Sequence, residues 1–205
     1  DTSSPDLGFT NIHYFAAAAT MYGTLAHGGY EYEGQTYDAK FDHVDDFNTC
    51  VECHDSHTLE LRVESCAECH TEGDPKDIRM AGSLVDFDGD GDLEEGIYYE
   101  IETLQEMLLQ GIQAYASEVT TSAITYDPAR HPYFFGDANA NNGVDEGEAA
   151  FKAWTGRLAR AAYNYQTSLK DPGAYAHGGK YIIELLYDSI ADLNQALAEG
   201  MLRAR

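Results

Sequence analysis

The chain has 205 residues, with 12 Lys and Arg against 36 Asp and Glu, a formal charge of −24 and a hydrophobic fraction of 43%. That length and apolar content suffice for one domain with its own core over 1–205, while the charge repels nucleic-acid phosphates and anionic lipid head groups. No apolar run approaches the ~18 residues that a membrane span needs, so neither nucleic acid nor a membrane span is expected.

The first predicted element is a helix over 8–26, with Phe9, Ile12, Phe15, Ala16, Ala19 and Leu25 near one face and strong helix formers at Ala16 to Ala19. His27-Gly28-Gly29 ends it. Alternating aromatic and polar residues from Tyr30 to Tyr37, around Glu33-Gly34, predict a short β-hairpin. Residues 41–75 are rich in Cys, His and acids and have no period. Such a stretch is too short to bury a core, so a bound group must organise it.

Three further helices are expected, each with apolar residues three and four apart. One over 94–118 carries Ile97, Ile101, Leu104, Met107, Leu108 and Ile112. One over 146–169 carries Ala150, Phe151, Trp154, Leu158, Ala161 and Ala162. One over 178–200 carries Tyr181, Ile182, Leu185, Leu186, Ile190, Leu193 and Leu197. Tyr126 to Phe135 is expected as an aromatic loop, and Asp171-Pro172-Gly173 breaks the chain between the last two helices.

The chemistry is concentrated in Cys50-Val51-Glu52-Cys53-His54 and Cys66-Ala67-Glu68-Cys69-His70, repeated 16 residues apart. Two thiols at this spacing add to the two vinyl groups of one haem, and the histidine that follows lies under the ring and binds iron. Cys50 and Cys53 are then thioether anchors with His54 as proximal ligand, and Cys66, Cys69 and His70 repeat the arrangement. A four-cysteine zinc site or a redox thiol pair is the competing reading; the histidine directly after each second cysteine favours two haem c groups. All four cysteines are used, which leaves no disulfide to propose. Haem attachment of this kind takes place outside the cytoplasm, and Asp1-Thr2-Ser3-Ser4-Pro5 has no signal-peptide pattern, so the numbering is expected to start at a mature N-terminus.

The sixth iron ligand separates an electron carrier from an enzyme. Of four methionines, only Met80 lies in a loop near the motifs, where bulk filling is the simpler role. Six histidines lie outside the motifs, a number that favours bis-histidine ligation. His57 ranks first: three residues after His54, it is too close for its own haem's far face and suited to the other haem or to a neighbouring chain's. His43, His13 on the first helix and His177 before the last follow. His27 and His131 look like surface residues. Two haems need two distal ligands, so four candidates leave a surplus that is either structural or offered to another subunit.

An internal repeat, 51 residues apart, aligns 86–97 with 137–148, a helix being expected after each. Asp86, Asp88, Asp90, Asp92 and Glu95 in the first copy, and Asp137, Asn139, Asn141, Gly143 and Glu148 in the second, follow the oxygen-donor spacing of an EF-hand loop. The first copy has Ile97 at position 12 and would need Glu95 or Glu94 instead; the second has Asn142 where Gly is usual. Two acidic turns capping helices are the plainer alternative. Two structural calcium ions are expected.

Asn11 to Thr20, Gly28 to Tyr32, Cys53-His54-Asp55-Ser56-His57, the 86–91 loop, Ala162 to Gln166 and Asp171 to His177 together resemble secreted bacterial and archaeal multihaem c-type cytochromes. The resemblance implies extracellular electron carriers with bis-histidine haems, some of them polymerised into filaments with a continuous haem stack. It implies His13, His43, His57 and His177 as the ligand positions.

The expected fold is mainly α: a helical bundle packed on a loop-rich dihaem module, with a short β-hairpin. The expected function is extracellular electron transfer rather than catalysis, at the cell surface, in the medium or in the periplasm. Further copies of the chain and redox partner proteins or extracellular acceptors are the expected partners. A dihaem peroxidase or reductase with one open iron is the alternative, and a calcium-responsive binding module a third.

Overall fold

The computed structural model describes residues 1–79 and 83–203. Its first helix, α1, covers only Ala17–Tyr22 and continues as a 3-10 turn, Gly23–Leu25. The first half of the expected 8–26 helix is instead a strap over the rest of the chain. Phe15 sits at φ 54°, and its N–H donates to the Lys170 carbonyl at 2.9 Å. The Phe9 ring packs 4.9 Å from Phe134 and 5.9 Å from Trp154. Aromatic burial against a distant element outweighs the propensity of a short helix whose nucleation is costly. His13 consequently lies on the strap and not on a helix.

The expected hairpin over 30–37 keeps its Glu33-Gly34 turn but forms no strands. The reason is where its polar groups go. The Tyr30 N–H donates to Asn164 Oδ1 at 2.6 Å, and Asn164 Nδ2 donates back to the Tyr30 carbonyl at 2.9 Å. Tyr32 N–H donates to the Tyr37 hydroxyl, which donates to Asp188 at 2.6 Å. Asp38 N–H donates to Glu184 at 2.7 Å. The segment is docked on helix side chains rather than paired with itself. Asn164 is fully buried, so Asn164→Ala strands the Tyr30 N–H and carbonyl without partners and is expected to cost about 2–3 kcal/mol, read as a lower urea midpoint.

The haem-motif region supplies two one-turn helices, α2 (Cys50–Cys53) and α3 (Val63–Cys66). The bundle follows: α4 (Ile97–Tyr115), α5 (Gly156–Leu169) and α6 (Ala174–Arg203). Between α4 and α5, a π turn over Ala116–Thr120 leads to β1 (Ile124–Tyr126) and β2 (Phe134–Gly136). The two strands are antiparallel, with Ile124 opposite Gly136 and Tyr126 opposite Phe134. The short hairpin of this mainly α fold is therefore the stretch expected as an aromatic loop. The approach to α5 is irregular, because Phe151 N–H donates to the Phe134 carbonyl at 3.0 Å and so extends the ladder. The Thr155 hydroxyl then accepts from Leu158 N–H and starts the helix. The 137–148 loop is thus not followed directly by a helix, contrary to expectation.

Ile101, Leu104, Leu108 and Ile112 of α4, Leu158, Ala161 and Ala162 of α5, and Ile182, Leu185, Leu186 and Leu193 of α6 meet in one core with Phe134 and Trp154. Met107, expected on this face, is 39% exposed. Before Ile97, Tyr37 alone among the described residues belongs to that core, with Phe9 and Phe87 at its edge. Among the described residues, no helix is long and apolar enough to cross a membrane.

Candidate functional site

The first Cys-x-x-Cys-His motif is set by local hydrogen bonds. The Glu52 carboxylate accepts from the N–H groups of Asn48 and Thr49 at 2.7 and 2.6 Å, which starts α2 and holds that carboxyl below its ordinary range. One helical turn places Cys50 and Cys53 on the same side. His54 leaves the helix with extended backbone. Asp55 then accepts from the N–H groups of His57 and Thr58, both at 2.9 Å, a tight side-chain turn. The chain returns so that Arg62 N–H donates to the Cys53 carbonyl at 2.9 Å. His54 Nδ1 lies 3.0 Å from the Leu59 carbonyl, so it carries the proton and Nε2 is left for a metal. In the second motif Cys66 ends α3, and His70 N–H donates to its carbonyl at 2.9 Å. Partial burial, and Cys66 close by, push the Cys53 thiol above its usual value.

Each motif histidine faces a second imidazole. The rings of His54 and His177 have centroids 6.2 Å apart, tilted by 47°. Those of His70 and His43 are 6.0 Å apart and nearly parallel, at 11°. Two imidazole nitrogens on opposite sides of one metal stand about 4 Å apart, since each bond is about 2.0–2.1 Å, and the rings behind them bring the centroids to roughly 6 Å. Both separations fit an iron held between two histidines. Partial burial, with His70 alongside, holds His43 below the ordinary histidine value, which favours the neutral ring that binds metal. His177 Nδ1 lies 2.9 Å from both carboxylate oxygens of Asp171.

His13 and His57 are exposed, and among the described residues neither has an imidazole packed on it. His13 Nδ1 bonds the neighbouring Tyr14 carbonyl at 2.9 Å. His27 pairs with Glu31 at 3.1 Å, and His131 is exposed beside Tyr133, as expected of surface residues. Met80 lies outside the described residues. In the chain flanking the motifs, Phe41, Val51, Leu59 and Leu61 are exposed. Exposed apolar side chains beside a segment with no share in the core offer a surface on which an apolar group can pack.

The 86–95 loop is a second centre of charge. Gly89 and Gly91 take φ of 83° and 97°, turning the chain so that carboxylates converge. Ligand atoms of Asp86, Asp88 and Glu100 form one close group and those of Asp88, Asp90 and Glu95 another, each within 4.8 Å. Among the described residues these are the only such groups of three, and Asp92 belongs to neither. Asp88 Oδ2 and Glu95 Oε1 are buried with no hydrogen-bond partner. Burial, with Asp88, Asp90, Glu100 and Asp92 nearby, pushes the Glu95 carboxyl up to about 7. Arg79 is the cation at the site, 2.6 Å from Glu100. The 137–148 loop makes similar side-chain turns but, among the described residues, gathers no such group. Asp137 accepts from the N–H groups of Asn141 and Asn142 at 3.1 and 2.8 Å, and Glu148 from those of Ala138 and Asp145, both at 2.8 Å. Asn139 and Asn141 turn their amide nitrogens to Asp145 at 2.9 and 3.0 Å, and Gly143 N–H donates to Asn141 at 2.8 Å.

Three participants escape the sequence reading. Glu100 occupies an apolar position of α4, between Ile97 and Ile101, yet its side chain is wholly buried and accepts from Phe87 and Asp88 N–H at 2.7 and 3.0 Å. A lone Glu on a buried helix face was the available signal. Arg79 gave none. Asp171 was legible only as part of a chain break.

No family model matches the chain, and no solved structure does. Curated relatives do. It is 29% identical to the C-type polyheme cytochrome OmcC of Geobacter sulfurreducens over 225 aligned positions, 90% of this chain and 26% of the relative. It is likewise 29% identical to the C-type polyheme cytochrome OmcB of the same species, over 90% of this chain and 27% of that one. The chain spans about a quarter of the length of these relatives. The similarity is thus to multihaem c-type cytochromes and runs through nearly all of this chain.

Proposed function

We propose that the chain is an exported electron carrier with two covalently bound, bis-histidine haem c groups. One is held by Cys50, Cys53 and His54 with His177 as distal ligand, the other by Cys66, Cys69 and His70 with His43. The observation that carries this reading is the pair of imidazole separations, 6.2 and 6.0 Å, each on a different attachment motif. Two histidines at each iron would leave no open position for a substrate and would let the haem serve as a one-electron carrier, which favours a carrier over a peroxidase or reductase. The likeness to polyheme cytochromes points the same way. Exposed His13 and His57 are then ligands available to a haem of another copy, as a filament subunit would need. A calcium ion on Asp86, Asp88, Asp90 and Glu95 is part of the proposal. The 137–148 loop, which among the described residues gathers no close group of three acidic ligand atoms, is not assigned one.

Spectra of the purified holoprotein test the ligation. Two haems per chain, both low-spin in the ferric state, are expected. His43→Ala and His177→Ala should each convert half of the haem to a high-spin form. A high-spin haem in the unaltered protein, or two low-spin haems surviving both variants, rules the assignment out. Electron microscopy at high concentration tests the filament; dispersed monomers under all conditions exclude it.

A further inference from the structure

Asp171 is fixed before it meets His177. It follows the last turn of α5, and its side chain is 3% exposed. Oδ1 accepts from the Gly173 N–H at 3.1 Å, and the Asp171 carbonyl from the Ala174 N–H at 3.0 Å. Pro172 between them has no N–H to compete. The first turn of α6, Ala174 to His177, is set apart from the long helix by a break at Gly178. His177 folds back over the turn, and a Cβ on Gly173 would stand 2.7 Å from its Cε1. That clip brings Nδ1 to 2.9 Å from both carboxylate oxygens. Among the described residues no Lys or Arg pairs with Asp171; Lys170, next in sequence, lies over the Tyr14 ring instead. The carboxylate's charge therefore falls on the imidazole.

We infer that Asp171 is a positioning residue for the haem on Cys50 and Cys53: it fixes His177 with Nδ1 protonated and Nε2 free for iron, and it makes that haem the lower in reduction potential of the two. The inference rests on the ligation proposed above. A carboxylate on the far nitrogen makes an imidazole a stronger donor, and a buried negative charge stabilises ferric over ferrous iron. The other three ligand rings lack this. His54 meets only a neutral backbone carbonyl, and among the described residues no carboxylate bonds His43 or His70.

Redox titration of the holoprotein, followed spectroscopically, is the test. Asp171→Asn should shift the reduction equilibrium of one haem at least tenfold toward ferrous, about 59 mV for a one-electron couple, leaving the other haem unmoved and both low-spin. Asp171→Glu, which keeps the charge, should stay within about threefold of the unaltered protein. Unmoved potentials in Asp171→Asn, equal shifts of both haems, or an Asp171→Glu shift as large as that of Asp171→Asn overturns the inference. Should Asp171→Asn fail to fold, His177→Met identifies which transition belongs to this haem: the lower one must move, and movement of the upper one overturns the inference. If His177→Met leaves spectra and both transitions unchanged, the ligation proposal falls and takes the inference with it.

Discussion

Replacing Cys50 and Cys53 together by alanine is expected to halve the haem content and to release residues 41–62, while the bundle from Ile97 onward keeps its own unfolding transition. No residue from 41 to 75 belongs to the side-chain core, among those described. Ordering a backbone costs roughly 1–2 kcal/mol per residue, and the segment around the first motif has no share in the core to offset it. Its hydrogen bonds, among them Glu52 to two N–H groups and Asp55 to two more, contribute about 1 kcal/mol each net. On the ligation proposed above, packing of the haem on nearby apolar side chains and the iron–imidazole bonds would supply the rest. Limited proteolysis of the double variant should cut within 41–62 at least tenfold faster than in the holoprotein, and should leave a stable fragment containing α4 to α6. Equal protection with and without the first haem would show that the segment folds through protein contacts alone.

That division between halves decides what could be seen in the sequence. In α4 to α6 the fold is written as side-chain period, and Ile101, Leu104, Leu108, Leu158, Ile182, Leu185 and Leu193 are buried where their spacing put them. The motif histidines are placed by the sequence itself, each directly after the second cysteine of its pair. His43 and His177 were named among four candidates, but which motif histidine each ring faces depends on distance through space. His57, ranked first for its place beside the motif, is turned outward by the Asp55 turn, whereas His177, more than a hundred residues on, is delivered to His54 by the clip at Gly173. The 30–37 segment failed as a hairpin for a related reason. Its alternation is real, but Asn164, Glu184 and Asp188 on remote helices take up its backbone and hydroxyl groups. Periodicity reports what a segment buries, not what it bonds to.

Removing calcium is expected to destabilise the protein, and to do so more at pH 8 than at pH 5. The 86–95 loop gathers Asp86 and Asp88 with Glu100, and Asp88 and Asp90 with Glu95, with Arg79 as the cation at hand. Without a metal, burial above all, and then the surrounding carboxylates, favour the proton on Glu95, which pushes its carboxyl from 4.5 to about 7. A carboxyl raised in the folded state binds its proton more tightly there than in the unfolded chain. Its contribution to stability is then complete below about 4.5 and is lost as pH climbs through about 7. Calcium replaces the proton, so the ion-loaded protein should lose that pH dependence. Below pH 7, calcium binding should release close to one proton, and affinity should rise with pH until Glu95 is ionised. Calorimetric titration in two buffers of different ionisation enthalpy reads the proton directly, and thermal unfolding with and without chelator reads the stability. Glu95→Gln should abolish the proton release and weaken binding. Proton release that persists in Glu95→Gln would move the titrating group elsewhere in the loop, and a melting temperature indifferent to chelator at pH 8 would remove calcium from the site altogether.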